Sequence, residues 1–189
     1  MNRALFVDRD GVINIEKNYV YRIRDFEFIK DVFKFFIEIQ KLGYLIIIIT
    51  NQSGIGRGYY SDNDFKKLTA WMLSEFKKNG INITDVYYDP YHPEFGKGKY
   101  KRKSYKRKPN PGMILEAAQK YNIDLKNSIL VGDNDSDILA GVNAGINKLF
   151  LLKSGVVSLK DDIISACTQI KNLREITCFL KNEFKKKES

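Results

Sequence analysis

The chain has 189 residues, 43% apolar and 29% charged, the balance of an ordinary globular protein, and a single domain over residues 1–189 is the expectation. Thirty-two basic against 23 acidic residues leave a formal charge of +9, which favours an anionic partner: a phosphoester, a nucleic acid or an acidic membrane surface. The two cysteines, Cys167 and Cys178, are too few for a disulfide framework, and the apolar runs are far too short for a secretory signal or for the roughly 20 residues of a membrane span, so a reducing cytoplasm is expected.

Residues 4–7 form an apolar run halted by Asp8-Arg9-Asp10-Gly11, the pattern of a buried strand ending in a polar turn. Asp31 is placed to cap a helix over 32–42, with Val32, Phe35, Phe36 and Ile39 on one face and Gly43 as its stop. Residues 44–49 are a Leu/Ile run suited to a strand covered on both faces, and they give way to Thr50-Asn51-Gln52-Ser53-Gly54. Ser61 opens a helix to Asn79, with Asp64 three residues on as in a capping box and Gly80 as terminator. Residues 86–88 make a brief third strand.

Residues 89–108 then follow neither helical nor strand periodicity, and eight of the last twelve are Lys or Arg; a basic insertion this long inside a compact chain points to function. Pro111 suits the first position of a helix through Tyr121. Residues 128–131 form another buried strand, ending in Gly132-Asp133-Asn134-Asp135, and a helix over 136–144 is closed by Gly145. A strand over 148–152 and helices around 159–166 and 173–184 complete the chain, and the terminal Lys185-Lys186-Lys187 suits a solvated tail.

Strands alternating with helices, each strand nearly all apolar, predict an α/β fold: a Rossmann-like parallel sheet with helices on both faces. Ligands of such sheets bind outside the carboxyl ends of the strands. Those ends here carry Asp8 and Asp10, Thr50 and Asn51, and Asp133. Three carboxylates in one crevice repel one another, so their pKa values rise or they recruit a hard cation; all-oxygen ligands suit Mg²⁺. A metal beside a carboxylate permits phosphoryl transfer in which the carboxylate attacks phosphorus.

Four segments at these strand ends carry a resemblance. Phe6-Val7-Asp8-Arg9-Asp10-Gly11-Val12-Ile13-Asn14, Ile49-Thr50-Asn51, Lys108 and Gly132-Asp133-Asn134-Asp135-Ser136-Asp137 resemble, in order and spacing, the four motifs of the haloacid dehalogenase superfamily of phosphatases. Further segments narrow the likeness: Tyr19-Val20, Phe26-Glu27-Phe28-Ile29, Gln52-Ser53-Gly54-Ile55, Arg57-Gly58, Tyr87-Tyr88, His92-Pro93 and Arg107-Lys108-Pro109-Asn110-Pro111-Gly112-Met113. Together, over residues 3–155, they resemble the heptose-bisphosphate phosphatase family, with the histidinol-phosphate phosphatases as near relatives.

The resemblance implies a fold without a large cap domain, Mg²⁺ as cofactor and a phosphorylated sugar as substrate. It implies Asp8 as nucleophile and Asp10 as the acid that protonates the leaving oxygen and then the base for water. One oxygen of Asp8, the backbone carbonyl of Asp10 and Asp133 would hold the metal, and Thr50 and Lys108 the transferring phosphoryl oxygens. The family's sugar-binding positions fall on Glu16 to Tyr19, on Asn51, Gln52 and Ser53, on Arg107 and around Asn134. Arg107 offers a planar fork that matches the oxygens of a second phosphate.

Set against these roles are plainer ones. Arg107 could be one more member of the solvated basic run, and Glu16 an ordinary surface residue. Tyr19, Tyr87 and Tyr88 suit packing better than base stacking, and His92, the single histidine, suits loop shaping. Many relatives carry a structural zinc in the insertion, held by a Cys-x-His and a Cys-x-Cys pair. The aligned positions here are Asp89, Tyr91, Ser104 and Lys106, so no structural zinc is expected, and the loop should be ordered by Pro90, Pro93, Pro109 and packing of Tyr91, Phe95, Tyr100 and Tyr105. No nucleic-acid or membrane partner is expected, and the protein should be a monomer. The competing readings are a histidinol-phosphate phosphatase, a polynucleotide end phosphatase, and a basic nucleic-acid-binding module that would explain the charge and nothing else.

Overall fold

The computed structural model describes residues 1–153 and 165–188. Strands β1 (Arg3–Val7), β2 (Tyr44–Asn51), β3 (Asp85–Asp89), β4 (Ile129–Gly132), β5 (Lys148–Leu152) and β6 (Thr168–Ile170) form one sheet in the order β3-β2-β1-β4-β5-β6, parallel throughout. The helices are α1 (Val32–Lys41), α2 (Ser53–Arg57), α3 (Asp62–Lys78), α4 (Gly112–Tyr121), α5 (Asp135–Ala144) and α6 (Arg174–Glu188). The chain builds outward from β1 through β2 to β3 and then returns to the other side of β1 as β4. That reversal splays the connections after β1 and β4 apart and opens a crevice at their carboxyl ends.

Alternation along the strands sorts the core into two layers, because successive side chains point to opposite faces. Leu5, Val7, Ile46, Ile48, Ile129 and Val131 pack with Val32, Phe36 and Ile39 of α1, Leu68 and Met72 of α3, and Ile176 and Leu180 of α6. Ala4, Phe6, Ile47, Ile49, Leu130 and Leu149 pack with Met113, Ile114 and Ala117 of α4 and with Ile138 and Ala140 of α5. Both faces are thus covered, as the unbroken apolar strands require, and each fully buried Ile or Leu contributes about 1.5–3 kcal/mol. No large cap domain interrupts the connections at 8–31 and 90–111, and no helix among the described residues is long and apolar enough to cross a membrane.

Local chemistry accounts for most element boundaries. Ser61 Oγ accepts from Asp64 N at 3.1 Å and Asp64 Oδ2 accepts from Ser61 N at 2.9 Å, the reciprocal box that the sequence spells out. Asp31 precedes α1 but has φ 67° and makes no side-chain cap bond, so α1 begins from a left-handed turn instead. Pro111 sits at the N-cap of α4 rather than inside it. Helix α5 starts at Asp135, one residue earlier than expected, because Asn134 caps it: its Oδ1 accepts from Ser136 N at 3.2 Å. Strand β6 and the five-residue α2 were not expected; both are too short to carry a periodic signal. The helix expected around 159–166 lies mostly outside the described residues, since 154–164 are not described.

The segment 89–108 departs further from expectation. It contains one 3₁₀ turn, Gly98–Tyr100, and Tyr91 and Tyr100 do touch, with ring centroids 5.8 Å apart. Tyr105 and Phe95, however, are 64% and 56% exposed, so neither packs into a core. Order at the base of this segment comes from polar contacts around Asp89 and Ser104 that hydrophobic patterning does not register.

The seating of α5 on the sheet depends on Gly141, where a Cβ would fall 2.4 Å from Leu149 Cδ2 and 3.2 Å from Leu130 Cδ1. Gly141→Val should therefore lower stability by about 1–3 kcal/mol through overpacking. The readout is a lower urea midpoint at unchanged m-value, and an unchanged midpoint would show that the helix can shift.

Candidate active site

The crevice predicted by the topology is a cleft of about 600 Å³ at the carboxyl edge of β1, β2 and β4. Asp8 and Asp10 follow β1, Thr50 and Asn51 end β2, and Asp133 follows β4, so the sheet delivers these groups to one place from distant points in the chain. Gly11 permits the closest approach. Its φ is +83° and a Cβ there would lie 1.8 Å from Asp133 Oδ2, so only glycine lets the turn after β1 lie against Asp133.

At the floor, the Lys108 ammonium is 2.9 Å from Asp8 Oδ1 and 2.6 Å from Asp137 Oδ1, and it donates to the Ile49 carbonyl at 3.0 Å. Burial would discharge this lysine, but Asp137 and Asp8 more than offset that and raise its pKa above the usual lysine value. Its backbone is pinned by Asn51, whose Nδ2 donates to Lys108 O at 3.1 Å while Oδ1 accepts from Lys108 N at 3.0 Å. Asn51 lines the cleft, yet both ends of its amide are occupied by the Lys108 peptide; its geometry is that of a support.

Asp8, Asp133 and Asp137 can bring one oxygen each within 4.8 Å of one another. One ammonium does not balance three carboxylates. Burial raises the pKa of Asp8 well above the usual aspartate value, with Lys108 pulling down and Asp137 and Asp133 pushing up. Asp133 is pushed up to about 7, by burial first and by Asp137 second. A hard, oxygen-seeking divalent cation between Asp8 and Asp133 would relieve this repulsion, so the donor set fits Mg²⁺. Asp137 is already tied down: besides Lys108, its Oδ2 accepts from Asp133 N at 3.2 Å and Asn134 N at 3.1 Å.

Asp10 has a different environment. Arg9, 1% exposed, grips its carboxylate with Nη2 at 2.7 Å from both oxygens and Nε at 3.1 Å, and Nη2 also donates to Val20 O at 2.8 Å. Asn14 Nδ2 and Gln52 Nε2 each donate to Asp10 at 3.0 Å. Both oxygens of Asp10 therefore act as hydrogen-bond acceptors. Gln52 Nε2 also donates to Thr50 Oγ1 at 2.8 Å, and its Oε1 accepts from the Tyr60 hydroxyl, so the amide has one orientation.

The outer wall comes from three connections. Glu16 and Tyr19 reach the cleft from a turn in which Asn18 and Tyr19 have φ 56° and 68°, and Tyr19 packs edge-on against Tyr59 at 4.7 Å. Burial first, then the charge of Asp10, raises the Glu16 pKa. Arg107 and Asn134 stand on the other sides. Ser53, expected among the substrate-binding residues, is not among the residues that line the cleft; it is the first residue of α2.

Asn18 lines the cleft within the expected Glu16 to Tyr19 stretch and Ser136 lines it beside Asn134, whereas Tyr60, and the supporting parts of Arg9, Asn14 and Asp137, were not anticipated. Asp137 had a signal: it lies four residues after Asp133 at a helix start. Tyr60 had none, since it reaches the site only by packing.

The basic run divides. Its first six cations, Lys97, Lys99, Lys101, Arg102, Lys103 and Lys106, are exposed, whereas Arg107 is half-buried and Lys108 buried. His92 Nδ1 accepts from Glu94 N at 3.2 Å and Phe95 N at 3.1 Å, which shapes the loop. Tyr88 donates to Asp62 Oδ1 at 2.6 Å and packs on Phe65 at 4.4 Å. Asp89, Tyr91, Ser104 and Lys106 offer neither thiolate nor imidazole, so this set does not suit zinc. They bond to each other instead: the Ser104 hydroxyl donates to Asp89, and Tyr91 N donates to Asp89 Oδ1 at 2.9 Å.

This arrangement has known counterparts. A HAD-hydrolase-like family model matches residues 105–175. The D-glycero-alpha-D-manno-heptose-1,7-bisphosphate 7-phosphatase of Burkholderia mallei is 48% identical over 95% of this chain and 94% of its own length. Its namesake from Campylobacter jejuni is 45% identical over 96% and 97%, and the beta-named enzyme of Vibrio cholerae is 41% identical over 94% and 95%. A putative HAD-like phosphatase from Mesorhizobium loti superposes with TM-score 0.83 at 29% identity, covering 94% of this chain and 85% of that one. D,D-heptose 1,7-bisphosphate phosphatase from B. bronchiseptica, solved with magnesium and phosphate, superposes with TM-score 0.80 at 22% identity over 96% of this chain and 99% of that one, and so shares the fold. The chain therefore belongs to the heptose-1,7-bisphosphate 7-phosphatase family of the haloacid dehalogenase-like hydrolases, and is a phosphoric monoester hydrolase.

Proposed function

We propose that the protein removes the 7-phosphate of D-glycero-D-manno-heptose 1,7-bisphosphate through an aspartyl-phosphate on Asp8. The observation that carries this reading is the pairing, in one cleft, of an Asp8–Lys108–Asp133 floor suited to a reacting phosphoryl group with a half-buried guanidinium, Arg107, on the wall. The names of the relatives supply the sugar. Mg²⁺, held by Asp8, the Asp10 carbonyl and Asp133, would supply positive charge to the phosphoryl oxygens.

In the first step an oxygen of Asp8 bonds to phosphorus as the bond from phosphorus to the sugar O7 breaks, and protonated Asp10 gives its proton to that oxygen. In the second, water attacks phosphorus, Asp10 takes back a proton, and Asp8 leaves as a carboxylate with release of phosphate. Lys108 and Thr50 hold the phosphoryl oxygens as charge builds on them, Lys108 by its permanent charge and Thr50 by its hydroxyl. The donors around Asp10 match the second step. The first step requires Asp10 to carry the proton that it donates.

Asp8→Asn should abolish turnover with an unchanged circular dichroism spectrum, since volume is kept and the nucleophile lost. Asp10→Asn should cost about 10²–10⁴-fold on the sugar phosphate and less on an aryl phosphate, whose leaving group needs no proton. Near-normal hydrolysis by the Asp8 variant would end the covalent mechanism.

Chelation should stop turnover and Mg²⁺ restore it, and Asp133→Asn should raise the Mg²⁺ concentration for half-maximal rate at least about tenfold by removing a charged ligand. A rate indifferent to chelator would remove the metal from the reading.

Arg107→Ala should cut kcat/KM for the bisphosphate relative to the 7-monophosphate by about 10- to 100-fold, the worth of a charge-assisted contact. An unchanged ratio would return Arg107 to the solvated surface. The same assay with both anomers, histidinol phosphate and a 5′-phosphorylated oligonucleotide tests the substrate directly: faster turnover of either of the last two would displace the sugar.

A further inference from the structure

The base of the 89–108 segment is closed by a pair of residues with no part in the chemistry described above. Asp89 ends β3 and is 1% exposed. Its carboxylate accepts from the Ser104 hydroxyl and, at 2.9 Å, from Tyr91 N, while its own carbonyl accepts from Gln52 N at 2.8 Å. Ser104 is equally committed. Its Oγ accepts from Lys106 N at 3.2 Å, and its carbonyl accepts from Arg107 N at 3.3 Å and from Asn110 Nδ2 at 3.1 Å. One hydroxyl therefore joins the end of the β3 strand to the turn from which Arg107 projects.

Arg107 depends on this junction more than Lys108 does. Lys108 has independent anchors in Asn51, Asp8 and Asp137. Arg107 has one side-chain hydrogen bond, from Nη1 to Tyr91 O at 3.1 Å, and Tyr91 is itself set by Asp89. The charges point the same way. Burial weakens the hold of Arg107 on its proton, Asp89 supports its charge, and a second guanidinium, Arg57, opposes it. Arg57 lies over the Phe95 ring at 4.6 Å and near Tyr19 at 6.0 Å, so it flanks the same wall. Displacing Asp89 would leave two cations facing each other with less compensation.

We propose that Ser104, through its hydrogen bond to Asp89, is a positioning residue that fixes Arg107 at the cleft wall and so sets affinity for the phosphate remote from the reacting one. The proposal rests on the bisphosphate reading given above. It separates two adjacent cations by function: Lys108 is locked from the floor and acts on the reacting phosphoryl group, whereas Arg107 is locked from the loop and acts on binding.

The test uses the full chain with Mg²⁺. Ser104→Ala should raise KM for heptose bisphosphate about 3- to 10-fold, a fraction of the worth of the Arg107 contact because Ser104 acts on it indirectly, and change kcat little. Ser104→Thr, which keeps the hydroxyl, should restore KM. In an Arg107→Ala background Ser104→Ala should add no further loss, an outcome that general destabilisation would not produce. Amide hydrogen exchange at Lys106 and Arg107, measured without substrate, should quicken in Ser104→Ala and not in Ser104→Thr. Unchanged exchange, or additive losses in the double variant, would overturn the proposal. If Arg107→Ala itself keeps its preference for a bisphosphate, Arg107 does not hold the remote phosphate and the proposal is overturned while the substrate reading stands; faster turnover of histidinol phosphate or of the oligonucleotide would instead sink the substrate reading.

Discussion

Lys108 holds its ammonium between Asp8 and Asp137 at 2.9 and 2.6 Å, with only 3% of the residue exposed, and that buried charge organises the site around it. Removing an ammonium from water costs several kcal/mol, which the two carboxylates and the Ile49 carbonyl offset. To do so they must arrive from β1, β2 and α5 at the same point. The site therefore exists only when the sheet is in register and α5 is seated, and its geometry is as rigid as the core beneath it. The lysine also leaves the balance incomplete. Three carboxylates against one ammonium keep Asp8 and Asp133 raised above their usual pKa values, so the pocket is prepared for a further cation and, with it, for a phosphoryl dianion.

The two aspartates of the first turn sit in opposite surroundings. Asp8 faces Lys108 and the other acids, whereas Asp10, two residues on, is wrapped by Arg9, Asn14 and Gln52. Arg9 is the price of that arrangement: a guanidinium among the most deeply buried side chains, whose Nε and Nη2 are taken up by Asp10 and the Val20 carbonyl while its buried Nη1 has no partner. Without a cap domain, the outer wall of the cleft falls to short connections: the turn bearing Glu16 and Tyr19, the base of the basic segment and the N-terminus of α5. Two glycines admit this crowding. Gly11 lets Asp133 approach the first turn, and Gly132 lets Asp137 fold back over the strand end, where a Cβ would lie 2.5 Å from Asp137 Cγ.

The positive charge of the chain has less to do with the site than its abundance suggests. Six of the eight cations in residues 97–108 face solvent, where screening limits them to a diffuse attraction for anions. Only Arg107 and Lys108 enter the cleft region, and each is tied to its place by a different part of the fold.

The sequence by itself determined the sheet and which polar residues stand at its carboxyl edge. Continuous apolar runs such as 44–49 have one stable use, as strands covered on both faces, and the polar groups that end them must lie at the carboxyl edge, so Asp8, Asp10, Thr50 and Asp133 could be placed from pattern alone. What the tertiary structure decided is which polar groups line the cleft and which bond to one another. Asn51 supports Lys108, Ser53 stays outside the cleft lining, Tyr60 orients Gln52, and Asp89 finds Ser104 across a segment with no periodicity. Periodicity records burial of apolar surface, which repeats along an element, whereas a hydrogen bond between distant polar side chains is a single contact that leaves no repeating trace in the chain.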